Sequence, residues 1–353
     1  MPMTRSRLLA WAAVGLALAL IAVAVVVGVR WWRDTQRGDL ERAVAMAPSD
    51  VDQLSWTDWS GVREELDVDL GDHPSGDDIT ELLDRGFEAD LTQTTALGES
   101  AVTMQAAYGF SPATVDWELF SQSDKGAVVM VHLAESADID AIKDSLAELG
   151  YAEPESDTGV WVGGVEVVAR IGAITPELNH LVVDEERRLI LSSDEQPYLE
   201  KAAADARDEA GPDVDDVIDA TGEPLAAAIY TDDHACAKLA MSQADPIDQE
   251  QADALLAEAG EVNPVTGFAI GLGGDGDIVV AMSFENDDQA RTNARTRKAL
   301  ASGPAPGEGG DYAELFEASV TAEGKVVTME LEPVEGRYVF SALKDGPVLF
   351  ATC

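Results

Sequence analysis

Apolar and polar positions change period several times along the chain, and each change marks an element. From Leu8 to Val29 the run is uncharged and rich in Ala, Val and Leu, long enough for the about 20 residues that one bilayer-crossing helix needs. From Asp39 to about Phe110 the apolar positions take helical spacing. This predicts a mainly helical region: Leu40 to Ala47, a Trp56/Trp59 segment, and Ile79 to Leu91, in which Leu82, Leu83 and Phe87 form the stripe and Asp77 and Asp78 cap the positive end. At Val115-Asp116-Trp117-Glu118-Leu119 the period drops to two. That alternation predicts a half-buried strand with Val115, Trp117 and Leu119 on one face and the carboxylates on the other.

A strand, strand, helix order then repeats. The strand at Val115 is followed by a turn at Ser123 to Gly126, a strand at Val128 to Leu133, and the stripe Ile139, Ile142, Leu146, Leu149 closed by Gly150. The same order returns at Leu181 to Val183, Leu189 to Leu191 and a helix from about Pro197 to Arg207, and again at Phe268 to Leu272, Ile278 to Phe284 and a helix capped by Asn286. A shorter copy runs through Phe316, Ala318 and Val320, then Val327, Met329 and Leu331, with Arg337 to Leu343 as its helix. Gly211 to Gly222, rich in Gly, Pro and Asp, has the composition of a linker or domain boundary. The expected architecture is α+β: residues 1–37 a cytoplasmic stub and membrane anchor, 38–110 a helical membrane-proximal region, and 111–210 and 211–353 two related units of antiparallel sheet faced by helices.

The flanks of the apolar run support an anchor. Arg5 and Arg7 precede it, and Arg30, Trp31, Trp32 and Arg33 follow, placing an aromatic pair at headgroup level. A cleaved signal peptide ending at Ala43-Val44-Ala45 is the competing reading, but the run exceeds a normal signal core. No cysteine follows it, which excludes a bacterial lipoprotein. Flanking charges nearly balance and leave orientation open. Cysteine usage favours the large domain outside: Cys236 and Cys353 are the only two, a count compatible with a single bridge.

Composition narrows the partners. The formal net charge is −44, and since Arg5, Arg7, Arg30, Arg33 and Arg37 all lie at the start, the remainder is more acidic still. Nucleic acid is excluded as a partner, because binding a polyanion requires neutralisation by Lys and Arg. Hydrophobic residues make up 46% of the chain, which with the periodic runs argues for folded cores rather than disorder.

Chemistry is sparse. A Cys236–Cys353 bridge would pin the carboxyl terminus onto the segment Asp232 to Met241; without Cys-x-x-Cys spacing a redox-active pair is disfavoured. Asp232, Asp233, His234 and Cys236 include metal-ligand types, yet His73, His132 and His180 lie in unrelated segments. The acidic clusters Asp67 to Asp78 and Asp275 to Asp277 lack an EF-hand register and read as solvated loops. Gly-x-Ser-x-Gly, Ser-x-x-Lys and His-Glu-x-x-His are all missing from the sequence, and Gly271 to Gly274 joins two strands rather than a strand and a phosphate-cradling helix. No catalytic residue, metal site or cofactor is expected. Two partner-binding surfaces remain: Trp56 and Trp59 as aromatic anchors, set against the plainer reading that they pack on their own domain, and the basic helical face of Arg291, Arg295 and Lys298, with Arg297 nearby. That face would meet an anionic partner, or simply pair with neighbouring carboxylates.

The runs Leu54-Ser55-Trp56-Thr57-Asp58-Trp59, Asp116-Trp117-Glu118-Leu119 and Gly346-Pro347-Val348-Leu349-Phe350-Ala351-Thr352-Cys353 resemble those of uncharacterised membrane-anchored exported proteins of actinobacteria. The resemblance implies a place at the cell envelope and carries no activity. The expected function is a non-enzymatic, single-pass, extracytoplasmic binding or assembly module that meets the bilayer through its N-terminal helix and another envelope protein or wall component through its paired units. The alternatives are a carrier of a lipid or other apolar ligand and a carboxylate-dependent envelope hydrolase.

Overall fold

The computed structural model of the protein describes residues 37–353; the apolar run Leu8 to Val29, and with it the expected membrane span, lies outside the described residues. Among the described residues no helix is long and apolar enough to cross a membrane.

The chain opens with α1 (Asp39–Ala45) and enters the sheet through β1 (Gln53–Thr57). Helices α2 (Trp59–Glu65), α3 (Gly76–Glu88) and α4 (Ala101–Tyr108) follow, then the hairpin of β2 (Val115–Ser123) and β3 (Gly126–Leu133), and α5 (Ile139–Leu149). Next come β4 (Val160–Val162), α6 (Val165–Ile171), the hairpin of β5 (His180–Asp184) and β6 (Leu189–Ser193), and α7 (Gln196–Asp208). After α8 (Asp215–Thr221) and β7 (Ala226–Thr231) come α9 (Asp232–Leu239), α10 (Pro246–Ala259), β8 (Gly267–Leu272), β9 (Ile278–Ser283) and α11 (Asp287–Leu300). The hairpin β10 (Phe316–Glu323) and β11 (Val326–Pro333) and a short α12 (Val339–Leu343) complete the order.

The fold is α+β, with all strands of the described residues in one 11-stranded antiparallel sheet ordered β10-β11-β9-β8-β7-β1-β2-β3-β6-β5-β4. The order β1-β2-β3-β6-β5 and the order β7-β8-β9-β11-β10 are the same path taken twice, joined back to back where β1 pairs with β7. Helices cover both faces. One face packs α2 to α5, α9 to α12 and the C-terminal residues Val348–Ala351 into the larger core; the other packs α1, α7 and α8 against Trp56, Trp117 and Leu119. Central strands buried on both sides, such as β7 and β8, read as near-continuous apolar runs. At the β10–β11 edge one face is open, and the strand alternates.

Several sequence expectations differ from the structure; in α3 the N-cap is Ser75 rather than Asp77 or Asp78, and Phe87 is exposed rather than part of the buried stripe. Gln53–Thr57, expected within a helical region, is a strand at the centre of the sheet, where Leu54 and Trp56 pack on one face and tertiary pairing overrides local propensity. The expected linker contains α8, whose Val217 and Ile218 lie in the second core; its surrounding Gly and Asp residues mask that pair. In β2 a register irregularity between Val115 and Trp117 breaks the alternation. Val115 therefore faces the larger core while Trp117 and Leu119 face the smaller one, and Glu118 is fully buried rather than solvated.

Candidate functional site

The aromatic pair is not on the surface. Trp56 and Trp59 are 1% and 0% exposed, and each indole has an internal acceptor: Trp56 Nε1 donates to Pro224 O at 3.0 Å and Trp59 Nε1 to Glu118 Oε2 at 3.0 Å. Packing on the parent domain describes both. Glu118 also accepts from Thr95 Oγ1 at 2.7 Å and from the Ala96 amide at 2.6 Å. Burial pushes its carboxyl pKa up against these bonds, which favour the charged form. The cluster fastens the 94–97 loop to the sheet.

Helix α11 divides its basic residues between two faces. Arg291, Arg295 and Lys298 are exposed, Arg291 pairing with Asp288. Arg297 points the other way and is fully buried, donating to Asn293 Oδ1 (3.2 Å), Phe350 O (2.6 Å), Thr352 O (2.9 Å) and Asn263 O (2.9 Å), with its guanidinium 5.3 Å from the Phe284 ring centre. Burial draws its pKa down to about 9, so the group stays charged at neutral pH, held by carbonyl dipoles and a π face. The Asn293/Arg297 spacing, on the side of the helix opposite Arg291/Arg295/Lys298, was the available sequence signal for this inward role.

Arg297 belongs to a C-terminal latch. Cys236 and Cys353 are joined by a disulfide with Cα atoms 5.4 Å apart. Val348 N donates to Leu239 O at 3.0 Å, Met241 N to Thr352 Oγ1 at 3.1 Å, and Leu349 N to the Tyr312 hydroxyl at 3.3 Å. Phe350 packs edge-on against Tyr312 and Phe316. With Cys236 in the bridge, the Asp232 to Cys236 run cannot offer a thiolate ligand, and among the described residues no group of three or more His, Cys, Asp or Glu side chains is placed to hold a metal ion.

The first half carries an open cleft of about 640 Å³, within the size range of ligand sites. One wall is α2, started by Asp58, whose carboxylate accepts from Gly61 N at 2.9 Å and Ser60 Oγ at 2.8 Å. Arg63 of this helix has its guanidinium occupied by Pro112 O (3.1 Å) and Val115 O (2.9 Å). A second wall is the 66–75 loop, held at one end by Arg85 donating to Leu66 O and at the other by the Ser75–Asp78 capping box of α3. The cap's hydrogen bonds draw the Asp78 pKa down. The third wall is α5, whose N-cap Asp138 accepts from Ala141 N at 3.0 Å. Gly109, at φ 81°, ends α4 in the left-handed conformation and turns the chain along the cleft toward β2. Behind it, Tyr108 and Tyr151 share a hydroxyl–hydroxyl bond of 2.7 Å, and burial raises both phenols, Tyr151 to about 12.

The lining is mixed. Val68, Leu70 and Ile142 supply apolar surface, and the exposed carboxylates Glu64, Asp69, Asp72 and Asp138 supply the rim. These residues come from two stretches far apart in sequence, 64–72 and 138–142, and none was singled out as a binding residue from the sequence; Asp69 and Asp72 fell within an acidic stretch read as a solvated loop.

No family model matches the chain, and no curated protein matches it. Among solved structures it aligns with TP0453 in crystal form I, at 7% identity and a TM-score of 0.38 over 87% of this chain and 97% of that one. The form III structure of the same protein gives 7% identity and a TM-score of 0.37 over 85% and 97%.

Proposed function

We propose that the protein is a membrane-anchored, extracytoplasmic binding module of the cell envelope, in which residues Leu8 to Val29 hold the folded region at the membrane and the first-half cleft receives the partner. The observation that carries the binding assignment is the cleft itself: a recess of about 640 Å³ lined by the half-buried Val68 and Leu70 and rimmed by the exposed carboxylates Glu64, Asp69, Asp72 and Asp138. The placement outside the cytoplasm draws support from the Cys236–Cys353 disulfide, since such bonds persist in oxidising compartments. The acidic rim disfavours a lipid tail as ligand, because carboxylates stripped of water beside hydrocarbon are costly.

The test has two readouts on the full chain in its own host. Protease added to spheroplasts should degrade the region after residue 37 without lysis. Native mass spectrometry of the gently solubilised protein should retain a protein or wall-derived partner. Protection from protease would overturn the location, and a retained lipid would replace the binding-module reading with the carrier.

A further inference from the structure

The two halves repeat one path through the sheet, yet they treat one recess differently. In the second half the recess is bounded by α9, which follows β7 as α2 follows β1; by the residues leading into β8; and by α11, the helix after the β8–β9 hairpin. The chain's own terminal segment fills it. Cys353 is bonded to Cys236 of α9, Val348 N donates to Leu239 O at the end of the same helix, and Arg297 of α11 joins Phe350 O and Thr352 O to Asn263 O in the lead-in to β8. In the first half the matching boundaries are α2, the residues Gly109 to Thr114 leading into β2, and α5, and the 66–75 loop adds a further wall. Between them lies the open cleft, with no segment of the described chain across it.

We propose that the first-half cleft takes a short peptide segment of a partner protein, apolar in its middle and carrying lysine or arginine beside it, between the same three elements that grip residues Val348–Thr352 in the second half. The inference rests on the binding-module reading and names its ligand class. Peptide chemistry follows from the filled counterpart, where backbone carbonyls and an apolar Leu349–Phe350 pair occupy the recess. The apolar middle follows from the half-buried Val68 and Leu70. The basic flank follows from charge: Glu64, Asp69, Asp72 and Asp138 line the rim, while the Arg63 guanidinium is already bonded to Pro112 O and Val115 O. Complementary charge of this kind speeds encounter and suppresses acidic competitors. A second copy's own C-terminal segment is not the ligand, since the disulfide holds it in place.

The experiment displays random octapeptides on phage and selects them against the full-length protein in detergent micelles, then repeats the selection on three variants. Ala141→Trp places an indole from an exposed position of α5 into the cleft; Ala147→Trp puts the same bulk on an exposed position of α5 outside the cleft lining; and Glu64→Gln with Asp72→Asn neutralises half of the rim. Enriched sequences should pair Lys or Arg with Leu, Ile or Phe. A fluorescent copy of the best one should bind Ala147→Trp like the parent, lose tenfold or more on Ala141→Trp, and lose several-fold on the neutralised rim with a flatter salt dependence. Enriched peptides that bind Ala141→Trp undiminished would overturn the cleft assignment and leave the binding-module reading standing. Acidic or uncharged enriched sequences would overturn the ligand class. No enrichment while native mass spectrometry still shows a retained partner would overturn the peptide proposal alone, whereas loss of both would remove the binding-module reading with it.

Discussion

The first and second halves of the sheet follow the same strand path, but the first half is held together by a buried carboxylate and the second by a buried guanidinium. Glu118 accepts three hydrogen bonds that tie α2 and the 94–97 loop to β2; Arg297 donates four at the closed recess. Each charge lacks an oppositely charged side chain among these partners and is met by dipoles instead. The lesson is that a repeated fold need not repeat its chemistry. The polar network in one half fastens a loop to the sheet, and the network in the other closes a recess with residues Val348–Thr352.

The severest way to break this comparison is to remove the latch. Cys353→Ser should cost about 2–5 kcal/mol, for a closure spanning 117 residues in sequence, and Arg297→Met about 3–5 kcal/mol, since Phe350, Thr352 and Asn263 lose their donor. Urea denaturation of each variant checks both values. A joint loss well below the sum would show that bridge and guanidinium hold the same segment.

In the first half, Glu118→Gln should cost about 1–3 kcal/mol, because an amide nitrogen must then face one of the donors the carboxylate accepted. This position also predicts a pH dependence. Burial raises the Glu118 pKa in the folded state, so the native protein binds the proton more tightly than the unfolded chain. The carboxyl's contribution is therefore greatest at low pH and is lost as pH rises through the folded pKa. The stability gap between parent and Glu118→Gln should narrow in urea melts as pH rises above the ordinary glutamate range. A widening gap would show that the three donors hold the ionised form.

His180 offers a smaller effect of opposite direction. Burial lowers its pKa and Nδ1 is buried without a partner, so the unfolded chain takes the proton first and stability should fall gently as pH drops below about 6.5. His180→Gln should remove that slope. Smallest of all, Ala141→Trp should leave stability within about 0.5 kcal/mol, which separates ligand loss from unfolding.

The hairpins and their helices were legible because antiparallel pairs and amphipathic helices write their period into the chain. Residues 126–150 match the expectation closely, from β3 through α5 to the αL cap at Gly150. The Cys236–Cys353 bridge was legible from cysteine count and context. Trp56 was not, since five residues of a central strand carry too short a pattern to outweigh neighbouring helices. The burial of Glu118 was hidden because the face of β2 opposite Trp117 and Leu119 is covered by helices rather than water, which the alternation alone does not show. The cleft left least trace, because Glu64, Asp72 and Ile142 meet only through tertiary folding. Continuity across the β1–β7 seam was equally invisible: two repeated units on one sheet and two separate sheets have the same local periodicity.

That seam also sets an order on biosynthesis. β1 leaves the ribosome before any other strand of the described residues, yet it ends in the middle of the sheet, flanked by β2 and β7. The β2 edge is satisfied when the first hairpin emerges. The opposite edge, Gln53–Thr57, has no partner until Ala226–Thr231 is made. At about 5–20 residues per second that interval is on the order of ten seconds or more, during which the nascent chain presents an open strand edge able to pair with a neighbouring chain. Until β7 arrives the half-finished protein carries that open edge, and pairing across the seam is the step that closes it.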